Sequence, residues 1–339
     1  MTEPLATPAS TPLAPGLIAV VGAGALGSLV AGRLARSNHA GLAVHLIGRE
    51  AAVQAIQQAG LQLQEASGEI HTVHLPVTTD MAALRQARVV LLGVKSADTE
   101  AAALQMAPWL HPQALVLSLQ NGVGNAEVLT RVLQRPVGVA LAYVAAALPA
   151  PGHVQHAGGQ DIVMGLVATE AAVTADSIAS ASPSSPDFQR ELAWAQAALT
   201  AAGFTVRLSA QPLAALWSKL VVNCACNAIS GLAQANYSAM AALPAVRDLQ
   251  RAVVQEAVAV AQAEGHALVL ADLLAAVDRV ALNMPQQRSS TAQDLARGRR
   301  SEIDFLNGEV VRRGAVHGIA TPANQALWAL VKLLESQQG

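Results

Sequence analysis

Apolar positions along the chain follow two rhythms. Leu17–Val21, Ala43–Ile47, Arg88–Val94 and Ala114–Leu119 are short, nearly unbroken apolar runs, the pattern of strands buried on both faces. Helical spacing fills the intervals, through Arg36 after the first run and from about Asp98 to Trp109 before the fourth. Strands alternating with helices predict a parallel sheet with crossover connections. Val137–Tyr143 offers a further strand, and Pro151–Gly165 reads as two short antiparallel strands around a Gly158-Gly159 turn. Thr169–Pro186, rich in Ala, Ser and Pro, reads as a surface insertion, part helix and part loop. Phe188–Ala202 has helical spacing and Phe204–Leu208 is a last short strand. From Pro212 onward apolar residues recur only at helical spacing. The expectation is a flexible tail over 1–16, an α/β domain over 17–209 and an all-helical domain over 210–339.

Composition narrows this picture. A chain of 339 residues, 53% hydrophobic and 13% charged, has material for two large cores and is not of the disordered class. Its most apolar stretches are no membrane spans. Leu17–Ala35 is cut by Gly22, Gly24, Gly27 and Gly32 and carries Arg33, and Val137–Pro149 falls short of the ~20 residues a spanning helix needs. A net charge of −2 gives no electrostatic footprint for nucleic acid. The one basic cluster, Arg297, Arg299 and Arg300, reads as a solvated face neutralised by Glu302 and Asp304. Cys224 and Cys226 diverge on a helix, so neither a disulfide framework nor a zinc site is expected, which suits a reducing cytoplasm. Residues 1–16 lack the basic and apolar regions of a signal peptide, and the histidines show no metal-ligand spacing.

The first strand runs directly into Gly22-Ala23-Gly24-Ala25-Leu26-Gly27, which opens a helix. The glycines do different things. Gly22 permits a tight turn, Gly24 lets backbone approach a pyrophosphate, and Gly27 lets helix and strand pack closely. The helix N-terminus adds N–H groups and a dipole for phosphates. The α/β domain is therefore expected to be a Rossmann-type doubly wound sheet that binds a dinucleotide. An NAD site usually places an acid at the end of the second strand, but here His45-Leu46-Ile47-Gly48 ends on Arg49. A guanidinium suits a ribose 2′-phosphate by charge and geometry, so NADP(H) is expected, with Glu50 pointing elsewhere.

Ligands of such sheets bind beyond the carboxyl ends of the strands. Lys95, after Arg88–Val94, and Asn121, after Ala114–Leu119, stand there. Each is open to a plainer reading, as a solvated loop lysine or an Asn-Gly turn. In the helical domain Lys219, Asn223 and Asn227 are spaced four apart, and so share one face of a helix otherwise made of Leu216, Trp217, Leu220, Val221, Val222, Cys224 and Ala225. A desolvated lysine with two amides suggests a cleft wall and a proton donor of lowered pKa. The alternative is a lysine that reaches solvent, with amides that cap neighbouring turns. Ser289-Ser290-Thr291-Ala292-Gln293-Asp294 reads as a helix cap or a carboxylate contact. Glu302, in Glu302-Ile303-Asp304-Phe305-Leu306-Asn307-Gly308, is placed on a helix, as a surface charge or a partner to chemistry.

Together these motifs resemble the ketopantoate reductase family, over nearly the whole chain from about residue 17. They are the glycine turn, Lys95, Asn121-Gly122-Val123-Gly124, Trp217-Ser218-Lys219-Leu220-Val221-Val222-Asn223 with Asn227, the Ser289–Asp294 run and Glu302-Ile303-Asp304 with Asn307-Gly308. The resemblance implies reduction of 2-dehydropantoate by NADPH, with Lys219 as general acid and Glu302 supporting lysine and substrate. It implies Asn223, Asn227 and Ser290 as substrate contacts, and Lys95 and Asn121 near both cofactor and substrate. The active cleft is expected between the domains, and the apolar second-domain helices offer a homodimer contact. One departure is Gln287, where family members often carry asparagine. The 169–186 stretch has no clear family equivalent. A paralogous reductase of another small 2-oxo acid and a non-catalytic NADP(H) sensor are the competing readings.

Overall fold

The computed structural model describes residues 13–14, 16–37, 39–167 and 186–337. Most of the predicted tail and positions 169–185 of the Ala/Ser/Pro-rich stretch lie outside the described residues. The chain forms two compact units. One holds residues up to Gln120 together with Asn125–Pro212, and the other holds Leu213 onward together with Asn121–Gly124.

The first unit is a Rossmann-type sheet. In chain order its elements begin β1 (Leu17–Val21), α1 (Ala25–Arg36), β2 (Ala43–Ile47), α2 (Glu50–Ala59), β3 (Leu61–Gln64), β4 (Ile70–Val73) and β5 (Val77–Thr78). They continue β6 (Val89–Leu92), α3 (Thr99–Met106), β7 (Leu115–Ser118), α4 (Gly124–Leu133), β8 (Gly138–Ala150), β9 (His153–Leu166), α5 (Pro186–Ala201) and β10 (Thr205–Leu208). Every residue of β1, β6 and β7 is buried, as unbroken apolar runs require. β1 pairs in parallel with β2 on one side, Leu17 opposite Ala43, and with β6 on the other, Ile18 opposite Val89. The chain thus leaves β1 in one direction and returns on its other flank, which creates a topological switch point at the carboxyl end of β1. Leu17–Ala35 is divided between β1 and α1, and Val137–Pro149 falls largely in β8.

The Gly158-Gly159 pair is not the turn that the sequence suggests. β8 and β9 form one long antiparallel hairpin, with Gly138 opposite Leu166 and Ala150 opposite His153. Its turn is Pro151-Gly152, where proline presets one φ and Gly152 takes φ +72°. Gly158-Gly159 lies inside β9, where the register shifts, and is a bulge. Gly159 has φ +73°, and a Cβ there would lie 2.2 Å from the Tyr143 carbonyl oxygen. His156 fastens the bulge. Its Nδ1 stands 2.9 Å from an Arg33 guanidinium nitrogen, which can only donate, so Nε2 carries the proton and donates to the Gly159 carbonyl at 2.7 Å. Arg33 also donates from Nε to Glu65 at 3.1 Å and lies over the Phe204 ring. Burial works to raise the Glu65 pKa, but the hydrogen bond and charge of Arg33, aided by Arg36, outweigh it and hold the carboxyl below its usual value.

The far edge of β9 recruits strands that the hydrophobic pattern did not predict. β3 joins it in parallel, Gln62 opposite His153, and β4 pairs antiparallel with β3. β10, the last short strand expected from the sequence, also pairs with β9 in parallel. The sheet order is β4-β3-β9-β8-β7-β6-β1-β2-β5, with β10 beside β9. On α5, Glu191 receives a two-pronged contact from Arg88 at 2.8 and 2.9 Å, and the guanidinium lies over Trp194.

The second unit is helical throughout its described residues. It comprises α6 (Pro212–Ala233), α7 (Tyr237–Ala241), α8 (Pro244–Ala263), α9 (Leu270–Asn283), α10 (Ser290–Ala296), α11 (Asn307–Val316) and α12 (Pro322–Gln337). Among the described residues α6 alone is long and apolar enough to cross a membrane, and most of its apolar stretch is buried inside the protein. Asn307 is fully buried and ties three helices together, donating to the Cys224 carbonyl at 3.2 Å and to Asn324 at 3.0 Å.

The bulge yields a stability prediction. Gly159→Ala should cost about 1–3 kcal/mol and lower the melting temperature by several degrees. Calorimetry showing the same midpoint as the parent protein would remove Gly159 as a constraint on the hairpin.

Candidate active site

The glycine turn sits at the carboxyl end of β1. Gly22 takes φ +112° and its N–H donates to the Ile47 carbonyl at 2.8 Å. A Cβ on Gly27 would lie 2.0 Å from the Gly22 carbonyl oxygen, so α1 can close onto the strand only with glycine there. Gly24 differs, because a Cβ would meet nothing nearer than the Gly93 oxygen at 3.8 Å. Its lack of a side chain serves no packing contact and keeps space open. Gly24 is also the N-cap of α1, without a side-chain cap, and the first turn carries no acid. The N–H groups of that turn therefore lack a side-chain acceptor, and a phosphate meets that need. Ala23, Ala25 and Leu26 complete the turn half-buried, Ala23 and Leu26 packed against the sheet core. These features fit a dinucleotide.

Arg49 caps α2 from the end of β2 and is 86% exposed, with a guanidinium nitrogen 2.8 Å from Asp98. Glu50 points away and accepts from Gln54 at 2.6 Å. Asp98 ends a 3₁₀ turn, Ser96–Asp98, which follows exposed Lys95 after β6. That turn is held by a buried polar network that the sequence pattern does not disclose. The Gln120 amide donates to the Val94 carbonyl at 3.0 Å and to the Thr99 hydroxyl at 2.7 Å. Thr99 donates to Asn125 at 2.9 Å, and Asn125 donates to Ser96 at 3.2 Å. The only sequence signal was the density of small polar residues after two apolar strands. Asn121, next to Gln120, begins the four-residue segment that clusters with the helical unit, where a Cβ on Gly124 would lie 3.3 Å from Glu309.

In the helical unit Lys219, Asn223 and Asn227 occupy successive turns of α6. Leu216, Trp217, Leu220, Val221, Cys224 and Ala225 around them are buried. The stripe deepens along the helix: Lys219 and Asn223 are half-buried and Asn227 is buried. Among the described residues neither amide side chain has a hydrogen-bond partner. Lys219 keeps some accessible surface, yet protein crowds its amine. Burial lowers its pKa from the usual 10.5 to about 8, against the opposing pull of Glu302. Burial drives the Cys224 thiol up strongly and Cys226 to about 12, which leaves both inert.

Glu302 is not on a helix as expected. It precedes the 3₁₀ turn Ile303–Phe305 that leads into α11. Asp304 anchors this turn, accepting from Trp328 Nε1 at 2.7 Å and Lys332 at 2.8 Å. Burial acts to raise the Asp304 pKa, but those donors and the charges of Lys332 and Arg312 hold it below the usual range. Asp304 is thus engaged with α12 rather than with the exposed Arg297, Arg299 and Arg300, which corrects its part in the neutralised cluster read from the sequence. Ser289 is buried and caps α10, accepting from Ala292 N at 3.1 Å and donating to the Asn227 carbonyl at 3.1 Å. Ser290 is exposed, and among the described residues its hydroxyl has no partner. Two hollows, of about 10 Å³ beside Tyr237 and about 260 Å³ beside Pro244, contain none of these residues. Among the described residues no group of His, Cys, Asp or Glu is arranged to hold a metal ion.

A Rossmann-type sheet with an open glycine turn, followed by a helical unit carrying a desolvated lysine beside a glutamate, defines a pyridine-nucleotide-dependent oxidoreductase. Residues 18–169 match the family model "Ketopantoate reductase PanE/ApbA" and residues 213–335 its C-terminal counterpart. The chain belongs to the ketopantoate reductase family. It is 34% identical to the 2-dehydropantoate 2-reductase of Halobacterium salinarum, over 94% of this chain and 98% of that one. Its fold matches the crystal structure of a PanE/ApbA family ketopantoate reductase from Ralstonia eutropha, with 43% identity, a TM-score of 0.83 and coverage of 95% and 99%. D-mandelate dehydrogenase, solved with NADH and anilino(oxo)acetate, shares the fold at 22% identity and TM-score 0.82, over 95% of this chain and 99% of that one.

The Lys219 environment makes a sign-specific prediction. An unfolded lysine titrates near 10.5 and the folded one near 8. Between those values the unfolded state binds the extra proton, so stability rises with pH. Below about 8 the fold carries a buried charge at a cost. Relative to Lys219→Met, the parent protein should therefore gain stability from about pH 8 to about pH 10. Denaturant unfolding of both proteins at these pH values checks it, and a pH-independent difference would exclude the lowered pKa.

Proposed function

We propose that this chain reduces 2-dehydropantoate to pantoate with NADPH, and so serves pantothenate and coenzyme A synthesis in the cytoplasm. The observation that carries this reading is Lys219, an amine brought near neutrality by burial and kept within reach of Glu302. NADPH, when bound, supplies the hydride. As the keto carbon accepts it, the carbonyl π pair moves onto oxygen, and the Lys219 ammonium transfers a proton there. The lysine is left neutral and recovers its proton from solvent. A donor with a pKa near the working pH favours this transfer, and its positive charge stabilises the developing alkoxide. Glu302 opposes desolvation and keeps a protonated fraction available.

The Asn223 and Asn227 amides and the Ser290 hydroxyl, which lack partners among the described residues, orient the substrate carboxylate and hydroxyl. Orientation of this kind lowers the barrier by several kcal/mol. Gly22, Ala23, Gly24, Ala25, Leu26 and Gly27 hold the pyrophosphate, Arg49 takes the 2′-phosphate, and Lys95 and Asn121 serve the cofactor and substrate edge.

A second reading is a paralogous reductase of another 2-oxo acid. Gln287 favours it: half-buried, it has backbone bonds to Met284 and Tyr237, but among the described residues its amide has no partner. An amide one methylene longer than asparagine alters the room left for the substrate chain.

The deciding experiment follows NADPH oxidation with 2-dehydropantoate and a panel of 2-oxo acids. Turnover highest on 2-dehydropantoate is expected. Preference for another acid selects the second reading, and cofactor binding without turnover on any member defeats both. Lys219→Ala should lose at least about a hundredfold in kcat, and the parent rate should fall above about pH 8 as Lys219 loses its proton. A variant within about tenfold of the parent would remove Lys219 as the acid. Arg49→Ala should weaken NADPH binding by more than about tenfold and leave NADH binding unchanged, as measured by fluorescence titration.

A further inference from the structure

Arg49 already has an anion on it. Its guanidinium nitrogen lies 2.8 Å from the Asp98 carboxylate, although the arginine side chain is 86% exposed and able to turn elsewhere. The two residues come from different strand ends, Arg49 after β2 and Asp98 after β6. β1 lies between those strands, so the pair spans the glycine turn at the switch point. Both ends are fixed in place. At the Arg49 end, a Cβ on Gly48 would lie 2.6 Å from Ala23 Cβ, so the backbone before Arg49 is seated against the turn. At the Asp98 end, its N–H donates to the Lys95 carbonyl at 2.8 Å, and the buried Gln120–Thr99–Asn125–Ser96 network holds the 3₁₀ turn. Asp98 has no competing role as a cap, since its side chain accepts no helix N–H.

We propose that Asp98 is a specificity residue that competes with the cofactor 2′-phosphate for Arg49 and so narrows the preference for NADPH over NADH. The inference rests on the reading of Arg49 as the 2′-phosphate contact. Any anion bound to Arg49 stands within roughly one guanidinium width of the carboxylate already there. A 2′-phosphate must either displace Asp98 or share the arginine with it, and both routes act against the phosphate. A ribose 2′-hydroxyl brings no charge, and a carboxylate accepts its hydrogen bond. One carboxylate thus penalises the phosphorylated cofactor and tolerates the other, which is selectivity set by a repulsive element. At this exposure the effect is moderate and screened by salt.

The test is Asp98→Asn in the full-length protein, with Kd measured for NADPH and NADH by fluorescence titration at low and high ionic strength. Asparagine keeps the shape and an oxygen acceptor for Arg49, so its position is retained and only the charge is lost. NADPH should bind about three- to tenfold tighter at low salt, with a smaller gain at high salt, while NADH binding stays within about twofold or weakens. Unchanged or weaker NADPH binding overturns the proposal, as does equal tightening of both cofactors. The parallel Arg49→Ala variant separates the two layers. If it weakens NADPH while Asp98→Asn changes nothing, the Asp98 role alone falls. If Arg49→Ala leaves NADPH binding intact, the 2′-phosphate reading falls and takes the Asp98 role with it.

Discussion

The helical unit is arranged around the cost of holding an amine inside an apolar helix. Lys219 rides on α6 between Trp217, Leu220 and Val221, all buried. An uncompensated charge there would favour unfolding, and the surrounding polar groups read as the compensation. Glu302 supplies the opposing charge, and its position depends on a turn that Asp304 fastens to Trp328 and Lys332. On α11, Arg313 lies over the Trp217 ring and pairs with Glu264 at 2.7 Å and Glu309 at 2.6 Å. The turn before α11, fastened to α12, thus serves one side chain on α6.

The α/β unit meets a different demand, which is to keep backbone donors uncommitted. The open side of Gly24, the uncapped first turn of α1 and the absence of an acid there all leave N–H groups available. Rigidity comes from steric exclusion at Gly27 and from the buried hydrogen bonds linking Ser96, Thr99, Gln120 and Asn125. Those residues hold in place the loops that carry Lys95 and Asn121. Arg49 and Asp98 pair at the surface of this edge, so their balance can be altered without disturbing the core.

Much of this was legible in the sequence where one local pattern suffices. β1, β2 and the turn between β1 and α1 follow from continuous apolar runs and glycine spacing, and the Lys219–Asn223–Asn227 stripe follows from helical period. β3 and β4 were not legible, because Leu61-Gln62-Leu63-Gln64 and Ile70-His71-Thr72-Val73 are four-residue runs: β3 is held by pairing with β9, about ninety residues away, and β4 only by pairing with β3. The Gly158-Gly159 pair misled for a related reason. Two turn signals stood close together, and only the cross-strand register decides which becomes the turn and which the bulge. The Asp304 anchor and the Gln120 network were invisible because their partners, Trp328, Lys332 and Thr99, carry no local signal that names them. Ser289 and Ser290 were distinguishable only once the helix start fixed which hydroxyl turns inward.

The pairing of β3 and β10 with β9 also bears on how the chain is made. Gln62 waits for His153, and Asp161 for Thr205, so strand edges from the first quarter of the chain stay unpaired until the ribosome has passed β9, and the sheet is complete only after residue 208. Sheets closed by such distant partners form slowly and expose edges meanwhile. The α/β unit is therefore a late-closing body during synthesis, vulnerable to aggregation until its last strand emerges.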